Sequence, residues 1–172
     1  MLTTQSLALT QPATVHLRLV QPTDPATGAD LARMAEEELP WLGERIEAPD
    51  AAEGPLIRHF QVDLGMAALS GSDRPVFRKA AYVDLGPVEP TRDGWQASIG
   101  WRAATLAPLF PVFAGSLIRT ADSLVLEGEY APPGGELGIA VDRALLNIAA
   151  RRTAVWLLHR IADALAESAR ED

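Results

Sequence analysis

The chain of 172 residues has no cysteine. That excludes disulfides, thiol nucleophiles and cysteine-based zinc sites. It has only three histidines, and no two of them stand at helical or hairpin ligand spacing, so a histidine metal centre is not expected. Aromatic residues make up 6% of it, and no apolar run approaches the eighteen residues of a membrane-spanning helix. Met1 to Gln11 lacks the basic start and apolar core of a signal peptide, so a cytoplasmic location is the expectation. Positive charge is also scarce: the net charge is −8. An acidic surface repels phosphate backbones and anionic bilayers, so neither nucleic acid nor membrane insertion is expected.

Proline is missing from one region only. All thirteen prolines lie between Pro12 and Pro133, and residues 134–172 contain none. Proline breaks helix interiors but is tolerated in turns and at strand ends. The front of the chain should therefore be cut into short elements, and the tail should be one long one. After the breaker Pro132-Pro133-Gly134-Gly135, apolar residues recur at spacings of three and four through Val141, Leu145, Ile148, Val155, Leu158, Ile161 and Leu165. The spacing predicts a helix from about Glu136 to Ala166, roughly 45 Å long at 1.5 Å per residue.

What is present ahead of it alternates with period two, the pattern of half-buried antiparallel strands. Strands are predicted over Ala13–Val20, Arg58–Leu64, Val76–Leu85, Gly94–Ala103, Val112–Thr120 and Leu124–Tyr130. Asp93-Gly94 and Ala121-Asp122-Ser123 supply turn chemistry. Asp30 to Leu39 carries helical spacing, a second short helical piece is possible over Trp41 to Ile46, and residues 48–55 read as a loop. One strand, one or two short helices, about five strands and a long helix make an α+β order. The simplest burial of these faces is an antiparallel sheet curled around the C-terminal helix, as a single domain over 1–172 with its core in 12–166.

This order resembles the helix-grip fold of the SRPBCC superfamily, which includes START-like lipid-transfer domains and polyketide cyclases. The most telling segments are Leu109-Phe110-Pro111-Val112-Phe113-Ala114-Gly115-Ser116, then Tyr130-Ala131-Pro132-Pro133-Gly134-Gly135-Glu136-Leu137-Gly138, then Asp142-Arg143-Ala144-Leu145-Leu146. They look like the tail of uncharacterised bacterial members. The resemblance implies a deep apolar cavity between sheet and helix, and a hydrophobic ligand or lipid inside it.

Candidate site residues follow from strand parity. Trp95, Ile99 and Trp101 share the inward face of one strand, with Ala97 between them. Leu126 and Tyr130 share an inward face on another, and Tyr130 offers the polar handle such pockets use. Ser116, a small residue with apolar neighbours, and Leu145 and Trp156 of the tail helix complete the ligand-binding set. Against this stands plain core packing, the commoner use of aromatic stripes. Gly128 can widen a cavity or permit close approach. Glu127 and Glu129 share a strand face, but their parity is opposite to Leu124, Leu126 and Tyr130, which places them outside, facing Arg119 or another basic neighbour. His16 and His59 have outward parity as well. Arg78 and Arg102 are the basic residues most exposed to turning inward.

No phosphate loop, nucleophile elbow or zinc-protease motif is present, so no catalytic residue, metal or cofactor is expected. Three functions remain: carriage of a small hydrophobic ligand, a cyclase or dehydratase on the same fold, and an interaction module with a filled core. A titratable residue inside the cavity would favour the second. A seam filled by side chains would favour the third.

Overall fold

The computed structural model describes residues 14–47, 57–67, 75–104, 112–131 and 143–171. In chain order the elements are β1 (Val15–Pro22), α1 (Gly28–Ala35), β2 (Glu44–Ile46), β3 (Arg58–Ala67), β4 (Pro75–Leu85), β5 (Glu89–Thr91), β6 (Gly94–Ala103), β7 (Val112–Arg119), β8 (Ser123–Ala131) and α2 (Arg143–Glu171). The strands form one antiparallel sheet in the order β1-β8-β7-β6-β4-β3-β2, and β5 pairs β6 beside that path.

Each predicted strand is present, because alternation lets one face bury while the other stays wet. On β6, Trp95, Ala97, Ile99 and Trp101 are buried, whereas Gln96, Ser98 and Arg102 are exposed. Phe60 and Val62 of β3 and Ala81, Val83 and Leu85 of β4 are buried by the same rule. The side chains of Leu64 and Phe77, expected on the same face, lie outside the described residues.

Several boundaries differ from expectation. The region 41–46 is not helical. Leu42 and Gly43 both donate backbone N–H groups to the Leu39 carbonyl in a turn, and residues 44–46 pair with β3 as β2. Ladder bonds from a neighbouring strand outweigh a weak local helical pattern. The first helix stops at Ala35 rather than Leu39, since Glu36 already has extended ψ of 142°. The long helix runs to Glu171, five residues beyond the expected end. The expected start at Glu136, the Pro-Pro-Gly-Gly breaker and the loop 48–55 lie outside the described residues. The short strand β5 had no periodic signal, being three residues with a proline at its centre. The turn between β5 and β6 is Arg92-Asp93, one residue earlier than expected, because Gly94 already pairs with Thr91 as the first residue of β6.

The helix α2 approaches β1 and β8 on one flank of the sheet and β3 on the other, and it also packs on α1. Buried Ala154, Leu157, Leu158, Ile161 and Leu165 form its inner face. Among the described residues, the middle strands β6 and β7 stand further from it. Their large side chains reach into the space between.

Candidate ligand seam and the groups around it

The strand registers line up rows of side chains across the concave face. One row runs from Tyr130 on β8 through Phe113 on β7 and Trp101 on β6 to Val83 on β4 and Phe60 on β3. Trp101 and Phe113 stack with ring centroids 4.0 Å apart and planes 14° from parallel. The next row holds Gly128, Gly115, Ile99 and Leu85. The paired glycines have a structural reason. A methyl group built on Gly115 would clash with the Glu127 carbonyl oxygen, one on Gly128 with the Ala114 carbonyl oxygen, and either would come within 2.8 Å of Phe113 Cζ. The Phe113 ring leans over both glycines, so their small size admits an aromatic ring from the same sheet. At this point of the seam, Gly128 permits close approach.

Of the residues expected to line a pocket, Trp95, Ile99, Trp101, Leu126 and Tyr130 are all buried on the concave face. Ser116 is on the other face. Its register partners are Ser98 and Glu127, while Phe113, Leu117 and Arg119 are the buried residues of β7. The correction follows from period two: residue 116 has the parity opposite to 113 and 117. Trp156 is half-buried on α2, with the Arg160 guanidinium 5.5 Å from its ring centre. Arg160 Nε donates to the Trp41 carbonyl at 2.5 Å. Leu145 is on α2, and its side chain lies outside the described residues.

Several polar features of the seam are unusual. The indole Nε1–H groups of Trp95 and Trp101 are buried and have no hydrogen-bond partner among the described residues. Tyr130 is buried, and burial pushes its phenol pKa above the ordinary value, because the phenolate would lose hydration. The sign is definite. A folded-state pKa above the unfolded one contributes stability that is fully present below about pH 10 and is lost as pH rises through the folded value. Alkaline denaturation followed by circular dichroism should therefore begin at higher pH in Tyr130→Phe than in the parent. Identical profiles would show that the phenol is not held neutral by its surroundings.

The titratable groups expected outside are outside. Glu127 pairs with Arg18 of β1 at 3.2 Å, not with Arg119. His16 is exposed, and His159 is exposed on α2. His59 Nδ1 meets Asp84 Oδ1 at 2.7 Å, and Asp84 Oδ2 accepts from Arg102 Nη1 at 3.2 Å. These three residues have the outward parity of β3, β4 and β6, so Arg102 does not turn inward. The Arg78 side chain lies outside the described residues. Among the described residues, no cluster of histidine and carboxylate groups could hold a metal ion.

Two other arginines do turn inward, and both fasten α1 to the sheet. Arg119, only 3% exposed, donates Nε to Asp30 Oδ2 at 2.9 Å, and Asp30 is itself only 2% exposed. Its Nη1 donates to the Thr23 hydroxyl and to the Thr120 carbonyl at 3.2 Å, and its Nη2 donates to the Asp24 carbonyl at 2.7 Å. Asp30 Oδ1 also accepts from the Thr27 hydroxyl at 3.1 Å. At the other end of α1, Arg58 donates to the carbonyls of Met34, at 2.8 Å, and Glu36. A cation there satisfies the last carbonyls of a helix and its dipole. Burial lowers the Arg58 pKa from its usual value, with nearby Glu37 opposing and Arg45 adding to the shift. Parity carried a signal for Arg119, which continues the inward series of Phe113 and Leu117. An arginine read by composition alone is placed at the surface instead.

No family model matches the chain, and no curated protein matches it. Solved structures with similar architecture include a protein from Thermus thermophilus, with TM-score 0.51 and 13% identity over 90% of this chain and 99% of that one. A conserved protein from Geobacillus kaustophilus gives TM-score 0.52 and 12% identity over 90% and 97%. An aromatase/cyclase from a Streptomyces species gives TM-score 0.48 and 16% identity over 92% and 95%. The first two likenesses, together with the curved sheet gripping a C-terminal helix, show the fold: it is the helix-grip arrangement that the resemblance to the SRPBCC superfamily implied.

Proposed function

We propose that the seam between the concave face and α2 binds a small, largely apolar molecule that carries a hydrogen-bond acceptor. The observation behind this is the pair of buried indole N–H groups on Trp95 and Trp101, which have no hydrogen-bond partner among the described residues. A buried donor left unmet costs about 1–3 kcal/mol. An acceptor on a ligand would recover that cost. Trp101, Phe113 and Tyr130 stand in one row, so a ligand beside the indole would meet aromatic surface toward β7 and Val83 toward β4. The role is binding or carriage. The titratable pairs His59–Asp84 and Arg18–Glu127 face away from the seam, which weighs against acid–base chemistry there.

The test is titration with a fluorescent lipid analogue. Trp101→Ala is expected to weaken uptake by about tenfold, the loss of roughly 1.4 kcal/mol. Unchanged uptake by a variant with intact circular dichroism would overturn the assignment of Trp101. Trp101→Phe keeps much of the aromatic surface and removes the N–H donor, so it separates stacking from hydrogen bonding.

A further inference from the structure

A cleft of about 440 Å³ lies at one end of the seam, between the β1–α1 connection and the C-terminal half of α2, and neither Trp95 nor Trp101 lines it. That size falls within the range of small-molecule sites, about 300–1,000 Å³. Its apolar walls are Pro22 and Pro25 on one side and Ala162, Leu165 and Ala166 on the other. The buried Arg119–Asp30 pair also lines it, so one charge there neutralises the other.

The remaining polar groups are mostly acceptors. The Arg119 donors are directed at Asp30, Thr23 and three backbone carbonyls, those of Asp24, Thr120 and Ser123. Gln21 donates its amide N–H to the Pro22 carbonyl at 3.3 Å, which leaves its own oxygen open. Asp24 and Asp163 line the cleft from different elements, and both are exposed. Neither carboxylate has an ion-pair or hydrogen-bond partner among the described residues. Such a site asks for a donor and for positive charge. It disfavours a carboxylate or phosphate, whose acceptors would find Arg119 already engaged.

We propose that this cleft binds a small organic amine, its ammonium group held by Asp24 and Asp163 and its apolar body lying against Pro22, Pro25 and Ala162. Nothing in this depends on the seam binding a ligand. Charge-assisted hydrogen bonds are about twice as strong as neutral ones, so the ammonium supplies most of the selectivity.

Three compounds of nearly the same shape test it by calorimetry at low salt: phenethylamine, 2-phenylethanol and phenylacetate. Phenethylamine is expected to bind at least about tenfold more tightly than the alcohol, while phenylacetate does not bind. Asp24→Asn and Asp163→Asn should each weaken the amine several-fold, and added salt should weaken it further. Both residues are exposed, so the variants should keep the parent circular dichroism. Ala162→Trp, which fills the cleft, should abolish binding. Uptake of the fluorescent lipid analogue should be the same in the two asparagine variants, which separates these carboxylates from the seam. Equal affinity for amine and alcohol, no response to either asparagine variant, or no amine binding at millimolar concentration would each overturn the proposal.

Discussion

Replacing Arg119 by methionine is expected to destabilise the protein by about 3–5 kcal/mol, measured by chemical denaturation. The size comes from what is left behind. Arg119 and Asp30 have side chains only 3% exposed each, so removing the cation strands a carboxylate in the interior. The Thr23 hydroxyl and the carbonyls of Asp24 and Thr120 lose their donor as well. The double variant Asp30→Leu, Arg119→Met should be more stable than Arg119→Met alone, because it leaves no unpaired charge. A double variant as unstable as the sum of the two single ones would show that the pair is not coupled. Because Arg119 ties β7 to the β1–α1 connection, Arg119→Met should also speed amide exchange in α1 ahead of the sheet.

Phe113→Ala should cost a similar amount, about 3–5 kcal/mol, for a different reason. The ring covers Gly115 and Gly128 and stacks on Trp101 at 4.0 Å. Neither glycine has a side chain to close over the space it would leave, and the sheet backbone beneath is fixed by its ladder. The site therefore collapses poorly, and poor collapse places a large-to-small change at the costly end of its range. A cavity of that kind is apolar and can take a small aromatic guest. Benzene should therefore raise the melting temperature of Phe113→Ala by more than it raises that of the parent. A loss below about 1 kcal/mol would mean that neighbouring side chains refill the space. Gly128→Ala should be destabilising for a broader reason, since its added methyl meets the Ala114 carbonyl oxygen and, at 2.5 Å, the Gly115 Cα as well as the ring at 2.8 Å.

The sheet was legible in the sequence for a physical reason: a half-buried strand must alternate. Residues 94–103 are the clearest instance, where the expected and observed bounds coincide. The long helix was legible because thirteen prolines stop before residue 134 and apolar residues then recur at three and four. The same alternation placed Trp95, Ile99, Trp101, Leu126 and Tyr130 on one buried face. It also placed Ser116 outside, and reading Ser116 for size instead of parity put it on the wrong side.

Other features belong to the tertiary structure, because each depends on residues far apart in the chain. β2 exists because β3 offers it a ladder. The first helix is held at its start by residue 119 and at its end by residue 58, across 89 and 24 positions. A buried arginine is affordable only where such partners converge, and no local pattern announces that convergence. The paired glycines carry the same lesson, since sequence shows two small residues on two strands and only the register brings them together beneath Phe113. The sequence by itself determined which faces are apolar and which segments bend. The tertiary structure decided which polar groups those faces enclose, because burying a charge is settled by partners that only folding brings within reach.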